Sequence, residues 1–160
     1  MDGKVKIWQQ DVNTGNFELQ SELVSDKPNA HEDWVRDVAW CNNIGVMKDM
    51  IATVGEDKLL RIWKCEANPL NKEFAGKWVL AFKYEFREPV WRCSWSPIGF
   101  MLAVSGGDNV TRVFQEVNTA SHQVQEEVWR ITQEIDENGQ MQQEASNGVD
   151  IGLDGNQQKE

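Results

Sequence analysis

Three seven-residue phrases recur along the chain: "DGKVKIW" (2–8), "DKLLRIW" (57–63) and "DNVTRVF" (108–114). In each, an Asp stands six residues before a large aromatic, and a basic residue stands two before that aromatic. Two further phrases recur upstream. "DWVRDVAW" (33–40) aligns with "EPVWRCSW" (88–95) at a shift of 55, placing Trp40 on Trp95. "IATVGED" (51–57) aligns with "LAVSGGD" (102–108) at a shift of 51. One four-residue insertion in the polar stretch from Cys41 to Asp49 accounts for both shifts. Internal repetition on this scale means that one small unit is built several times and stacked.

The units read as strands. Val35, Asp37 and Ala39 alternate with Arg36, Val38 and Trp40, in a segment rich in β-branched and aromatic residues. "GED" and "GGD", the latter comprising Gly106, Gly107 and Asp108, supply the residues a tight turn needs. Each unit ends in a further apolar run: "FELQSELV" (17–24), "WVLAFKYEF" (78–86) and "VWRITQEI" (128–135). Four strands per unit, a to d, give strands c and d of a first unit and all four of a second and a third. The expected divisions are 1–26, 27–87 and 88–136, followed by an acidic, Gln-rich, disordered tail over 137–160. Residues 123–135 leave two readings open. Val124, Val128, Ile131 and Ile135 also fall at helical spacing, whereas position in the repeat calls for a d strand.

Composition excludes several functions. The net charge is −10; residues 134–160 carry seven acids and one lysine, a net of −6, leaving −4 for the rest. A mildly acidic body with no basic stripe argues against nucleic acid as a direct partner. No apolar run is long enough to cross a bilayer, and a charged start from Asp2 and Lys4 argues against a signal peptide. Three cysteines, Cys41, Cys65 and Cys93, fit reduced thiols of a cytosolic or nuclear protein better than a disulfide frame. With no Cys-x-x-Cys and no His-x-x-x-His, no metal is expected. "SGGDN" lacks the Gly-Lys-Ser/Thr of a phosphate cradle, there is no Gly-x-Ser-x-Gly elbow, and neither an enzyme nor a cofactor is expected.

A four-stranded unit with an Asp-to-Trp signature resembles the WD-repeat blade. The resemblance covers residues 2 to about 135 and implies an all-β fold: an open, partial WD-repeat β-propeller of about two and a half antiparallel, four-stranded blades. In that family a His, a Ser or Thr, the turn Asp and the strand c Trp form a structural hydrogen-bond relay, which maps onto His31, Thr53, Asp57 and Trp63. In the last unit the same places hold Phe86, Val104, Asp108 and Phe114, so that blade is expected to rest on apolar packing.

"HEDWVRDVAW" (31–40), "VWRCSWS" (90–96) and "LAVSGGDNVT" (102–111), in that order, together resemble the C-terminal half of the Sec-thirteen type WD-repeat proteins. The segment 76–96 is similar to that family's link between its last two blades. The resemblance implies a non-enzymatic scaffold of membrane-coating assemblies: the COPII outer coat of endoplasmic reticulum-to-Golgi transport and the nuclear pore Y-complex. Its implied partners are a large outer-coat subunit or a scaffold nucleoporin, which adds a blade in trans. The implied locations are the cytoplasmic face of the endoplasmic reticulum, COPII vesicles and the nuclear envelope. Family members are about twice as long, so the chain is expected to be a fragment, a truncated reading frame or a half propeller completed by other polypeptide. Trp91, Trp95 and Phe114 are candidate contacts for an inserted blade; packing between the sequence-adjacent blades is the other reading of the same aromatics. The rival function is a WD-repeat adaptor or substrate receptor, for example of a ubiquitin ligase.

Overall fold

The computed structural model describes residues 2–25, 28–42, 48–66, 77–121 and 124–142. Their strands form three antiparallel sheets. The first pairs β1 (Lys6–Gln10) with β2 (Phe17–Glu22). The second runs in chain order through β3 (Val35–Trp40), β4 (Lys48–Gly55), β5 (Leu59–Glu66) and β6 (Trp78–Glu85). The third runs through β7 (Val90–Trp95), β8 (Met101–Gly106), β9 (Thr111–Ser121), β10 (Val124–Ile135) and β11 (Met141–Gln142). There is no helix among the described residues, and the sheets are open rather than closed into a ring.

Two expectations from the sequence need correction or settling. Residues 124–135 are strand: their helical spacing is overridden by pairing along β9 from Val124↔Ser121 to Ile135↔Thr111. Residues 137–142, expected to belong to the tail, are ordered, because the sheet continues to Gln142. The Asp136 carboxylate accepts the Asn138 and Gln140 amides at 2.9 and 2.8 Å, and Gly139 takes a φ of 74°. That turn returns the chain onto β10, where Met141 pairs with Ile135. An edge strand needs only backbone bonds, so its polar composition gave no warning. Residues 143–160, and most of the insertion between Cys41 and Asp49, lie outside the described residues.

The repeat extends to backbone detail. Gly3, Lys58 and Asn109, each the residue after the unit's Asp, take φ values of 58°, 65° and 58°. Asp2, Asp57 and Asp108 each accept the amide two residues on, from Lys4, Leu59 and Val110. That bond offsets the cost of a left-handed residue beside it. Register slips recur as well. One residue is bulged out of the d strand opposite the unit's aromatic: between Ile7 and Trp8, between Ile62 and Trp63, and across from Val113 and Phe114. A second bulge, at Arg36 and again at Trp91, opens the a strands of the second and third units. Bulges of this kind turn a side chain away from the regular pleat.

Apolar residues fill two seams. Val5, Ile7 and Leu23 of the first unit pack on Ile51, Trp63, Cys65 and Trp78 of the second sheet. Ala52, Val54, Leu60 and Ile62 meet Val90, Leu102, Val104, Phe114 and Trp129 of the third. Polar contacts fix the second seam in register. Asp37 accepts the Cys93 amide at 3.1 Å, Trp95 Nε1 donates to the Ala39 carbonyl at 3.0 Å, and Lys64 pairs with Glu116 at 2.8 Å. The three thiols sit in these seams. Burial pushes Cys41 and Cys93 up to about 11 and about 12, and raises Cys65 too, with nearby carboxylates adding to each shift.

The turn glycines differ sharply in tolerance. A Cβ on Gly106 would lie 2.4 Å from the Pro89 carbonyl oxygen, whereas one on Gly107 meets nothing closer than 3.5 Å. Gly106→Ala should therefore cost about 2 kcal/mol or more, and Gly107→Ala no more than about 0.5 kcal/mol, by urea unfolding. Equal costs would mean that the two backbones do not approach as described.

Candidate functional site

The middle sheet encloses a continuous polar chain. His31, one residue after buried Ala30, enters from the turn ahead of β3; Thr53 lies mid-β4, Asp57 in the β4–β5 turn and Trp63 in β5. Trp63 Nε1 donates to Thr53 Oγ1 at 3.0 Å, and Thr53 Oγ1 lies 2.8 Å from His31 Nε2. His31 Nδ1 lies 2.8 Å from Asp57 Oδ1. An ionised carboxylate only accepts, so Nδ1 carries a proton; in the neutral ring the Thr53 hydroxyl then donates to Nε2. The direction of donation thus runs from indole to hydroxyl to imidazole to carboxylate.

Asp57 has further donors: the Glu32 amide at 3.1 Å and the Arg61 guanidinium at 3.0 Å. Burial pushes its carboxyl up, but the hydrogen bond and acid-form charge of His31, the Glu32 amide and Arg61 outweigh this, holding it at about 2. Arg61 is itself buried at 2% exposure, in keeping with a charge that has found its counter-ion. Its role was readable in outline, since a basic residue stands four after the Asp in all three copies: Lys6, Arg61 and Arg112.

Hydroxyl, imidazole and carboxylate in sequence is the connectivity of an activated nucleophile. Here the hydroxyl is closed off. Thr53 and Trp63 are 0% exposed, His31 is 1% exposed, and the Thr53 oxygen already holds the Trp63 indole. No reacting atom can approach it, so the chain's work is to join the turn ahead of the a strand, the b strand, the turn after it and the c strand.

The third sheet does this differently. Phe86, Val104 and Phe114 stand where His31, Thr53 and Trp63 stand in the second, and all three are buried. Phe86 and Phe114 join Tyr84 and Phe82 in a cluster of edge-on rings 4.9–6.2 Å apart. Asp108 keeps its turn bond and pairs with Arg112, which also holds Glu134 at 2.7 Å and lies over the Phe86 ring at 5.4 Å.

Of the three candidate partner contacts, two are consumed within the chain. Phe114 is 0% exposed against Phe82, Tyr84 and Phe86. Trp95 packs edge-on to Trp129 at 5.5 Å and bonds to Ala39. Both make contacts toward the preceding sheet, as in the reading that packs them between sequence-adjacent blades, Phe114 fully buried and Trp95 half-buried. Trp91 is half exposed: its bulge turns it into a cleft of about 530 Å³ with Arg36, Glu56, Pro89 and Arg92. Arg36 is the matching bulged residue of the second sheet, ion-paired to Glu56 and stacked over Trp34 at 5.1 Å. Alternation alone gives no sign of a bulge, so the sequence did not single out Arg36. Gly106 and Gly107 line the adjoining turn, where the Gly107 amide donates to Pro89 at 2.9 Å. Among the described residues no group of His, Cys, Asp and Glu could hold a metal, and no helix is long and apolar enough to cross a membrane.

Two measurements test the buried chain. Thr53→Val should cost about 2 kcal/mol by stranding the indole and imidazole, and Thr53→Val with Trp63→Phe should cost about 1 kcal/mol less than the separate losses combined. Strict additivity would show that the groups do not act together. The depressed Asp57 carboxyl stabilises the fold fully above about pH 4 and loses that contribution as pH falls through about 2. The chain should lose about 2 kcal/mol from this group between pH 5 and pH 2, and Asp57→Asn should flatten that part of the urea-midpoint profile.

Comparison with known proteins agrees with this architecture. The "WD domain, G-beta repeat" family model matches residues 23–64 and 79–115. "Protein transport protein sec13" of Aspergillus oryzae is 40% identical over 116 residues, covering 72% of this chain and 35% of the relative. "Protein transport protein SEC13-1" of Candida glabrata is 41% identical over 117 residues, covering 72% and 35%. "Protein SEC13 homolog" of Drosophila melanogaster is 36% identical over 115 residues, covering 72% and 29%. The match thus spans about a third of each relative's length. With its repeated Asp turns, its open four-stranded sheets and these relatives, the chain belongs to the Sec13-type WD-repeat proteins.

Proposed function

We propose that the chain acts as a non-enzymatic scaffold subunit in protein transport, serving membrane-coating assemblies of the COPII outer-coat and nuclear-pore type. The observation that carries this reading is the identity of about 40% to proteins named for protein transport, on open sheets whose one triad-like group is sealed. Scaffold work suits such a surface. Trp8, Phe17, Leu19, Val38 and Trp40 are 45–65% exposed on strand faces, as expected of a surface built to be covered. The partner is a large outer-coat subunit or a scaffold nucleoporin that adds strands in trans. Action at the cytoplasmic face of the endoplasmic reticulum, on coated vesicles and at the nuclear envelope follows from those partners.

A second reading has one observation in its favour. The cleft of Arg36, Glu56, Pro89, Trp91 and Arg92, beside Trp34, has the mixed aromatic and polar character of a ligand-presenting rim. It fits an adaptor or substrate receptor.

Affinity purification of the tagged full chain separates the two. The scaffold reading expects co-purification of a large coat subunit, a scaffold nucleoporin or both. Recovery of a cullin and neither of those would sink it.

A further inference from the structure

The two seams differ at one matching place along their d strands. Aligned through their bulges, Trp78, Val79 and Leu80 of β6 are the counterparts of Trp129, Arg130 and Ile131 of β10. Leu23, whose amide bonds to Val5 just past β2, is likewise the counterpart of Tyr84, which pairs with Leu60. In the first seam Leu23 is 1% exposed, within the cluster of Trp63, Trp78 and Leu80. In the second seam Tyr84 is only half-buried, and a cavity of about 230 Å³ lies between it and Phe114, Trp129, Arg130 and Ile131. Phe114 and Trp129 are buried, Tyr84 and Ile131 half-buried and Arg130 exposed, so the cavity deepens from a charged mouth to an aromatic floor. It shares no lining residue with the cleft around Arg36 and Trp91.

The residues that open the cavity also change its chemistry. A phenol replaces the leucine, and the Arg130 guanidinium stands where the second sheet has Val79. Neither group has a hydrogen bond or ion pair among the described residues. Trp129 adds a buried indole N–H that has no acceptor there either, and a buried donor left unmet is costly. The lining thus offers rings and donors, with no carboxylate among its residues. An occupant that suits it brings acceptors, a flat apolar body and negative charge, and few N–H groups of its own. Proline has a carbonyl but no N–H, and an extended proline-bearing segment holds its carbonyls outward, unpaired. Such segments dock in grooves lined by aromatic rings. The volume also fits: it lies below the roughly 300–1,000 Å³ of cofactor-sized pockets and suits one or two side chains of a segment crossing the mouth.

We propose that this cavity docks an acidic, proline-bearing segment of a partner polypeptide. A proline ring packs against Tyr84 and Trp129, and an acidic side chain beside it pairs with Arg130. The neighbouring backbone carbonyls accept from the Tyr84 hydroxyl and the Trp129 indole. The site rests on the d strands of the second and third sheets alone, independently of the transport reading.

The test titrates four short capped peptides into the full chain. Two carry a Pro-Pro core with Asp before it or after it, one has the core without acid, and one has the acid with Ala for both prolines. Binding is read from the indole N–H resonances, assigned through the backbone. At least one acidic proline peptide should move the Trp129 signal and bind about tenfold or more tighter than the acid-free and proline-free peptides. Arg130→Glu, at an exposed position and with an unchanged urea midpoint, should weaken that binding about fivefold or more. Tyr84→Leu, which copies the closed seam, should remove it. No binding by either acidic proline peptide overturns the proposal, and so does equal binding by the proline-free or the acid-free one. Shifts confined to Trp34 or Trp91 give the peptide to the other cleft and overturn it as well. Broadening of the Trp129 signal that grows with chain concentration, without peptide, assigns the cavity to a second copy and equally overturns it.

Discussion

The buried run from Trp63 through Thr53 and His31 to Asp57 is the interaction on which the other contacts depend. It joins groups 10 to 26 residues apart, on two strands, the turn between them and the segment ahead of β3. Each member would be costly alone in an apolar interior, and together every one has a partner. Because the middle sheet contributes to both seams, fixing its four strands also fixes what the first and third units can pack against.

The third sheet reaches the same end by other means. Losing a hydroxyl alone would strand an indole and an imidazole; losing all three polar groups together strands nothing. Phe86, Val104 and Phe114 are that joint replacement, and their rings close over the space with Tyr84 and Phe82. Asp108 persists because its other duties remain: shaping the turn before left-handed Asn109 and holding Arg112. The retained Asp is thus a backbone residue first and a relay partner second.

Much of this was legible in the sequence, because repetition turns one strand assignment into several. The Asp turns and the strand order follow from aligned phrases, and the grouping of His31, Thr53, Asp57 and Trp63 follows from the resemblance to the WD-repeat blade. What was not legible depends on register and facing. A bulge adds one residue without changing composition, so Arg36 and Trp91 looked like ordinary pleat positions. Trp95 and Phe114 are aromatic whichever sheet they face, and only the fold shows that they turn toward the preceding one. β10 satisfied both periods, and β11 neither, until a neighbouring strand decided.

The thiols add a property of another kind. A thiol held near 11 or 12 is almost wholly protonated at neutral pH and nearly inert to alkylation while its seam is closed. Cys41 and Cys93 lie in the seam between the second and third sheets, Cys65 in the one between the first and second. Each joint between blades therefore has its own chemical clock, and the order in which the sulfurs react is the order in which the molecule comes apart.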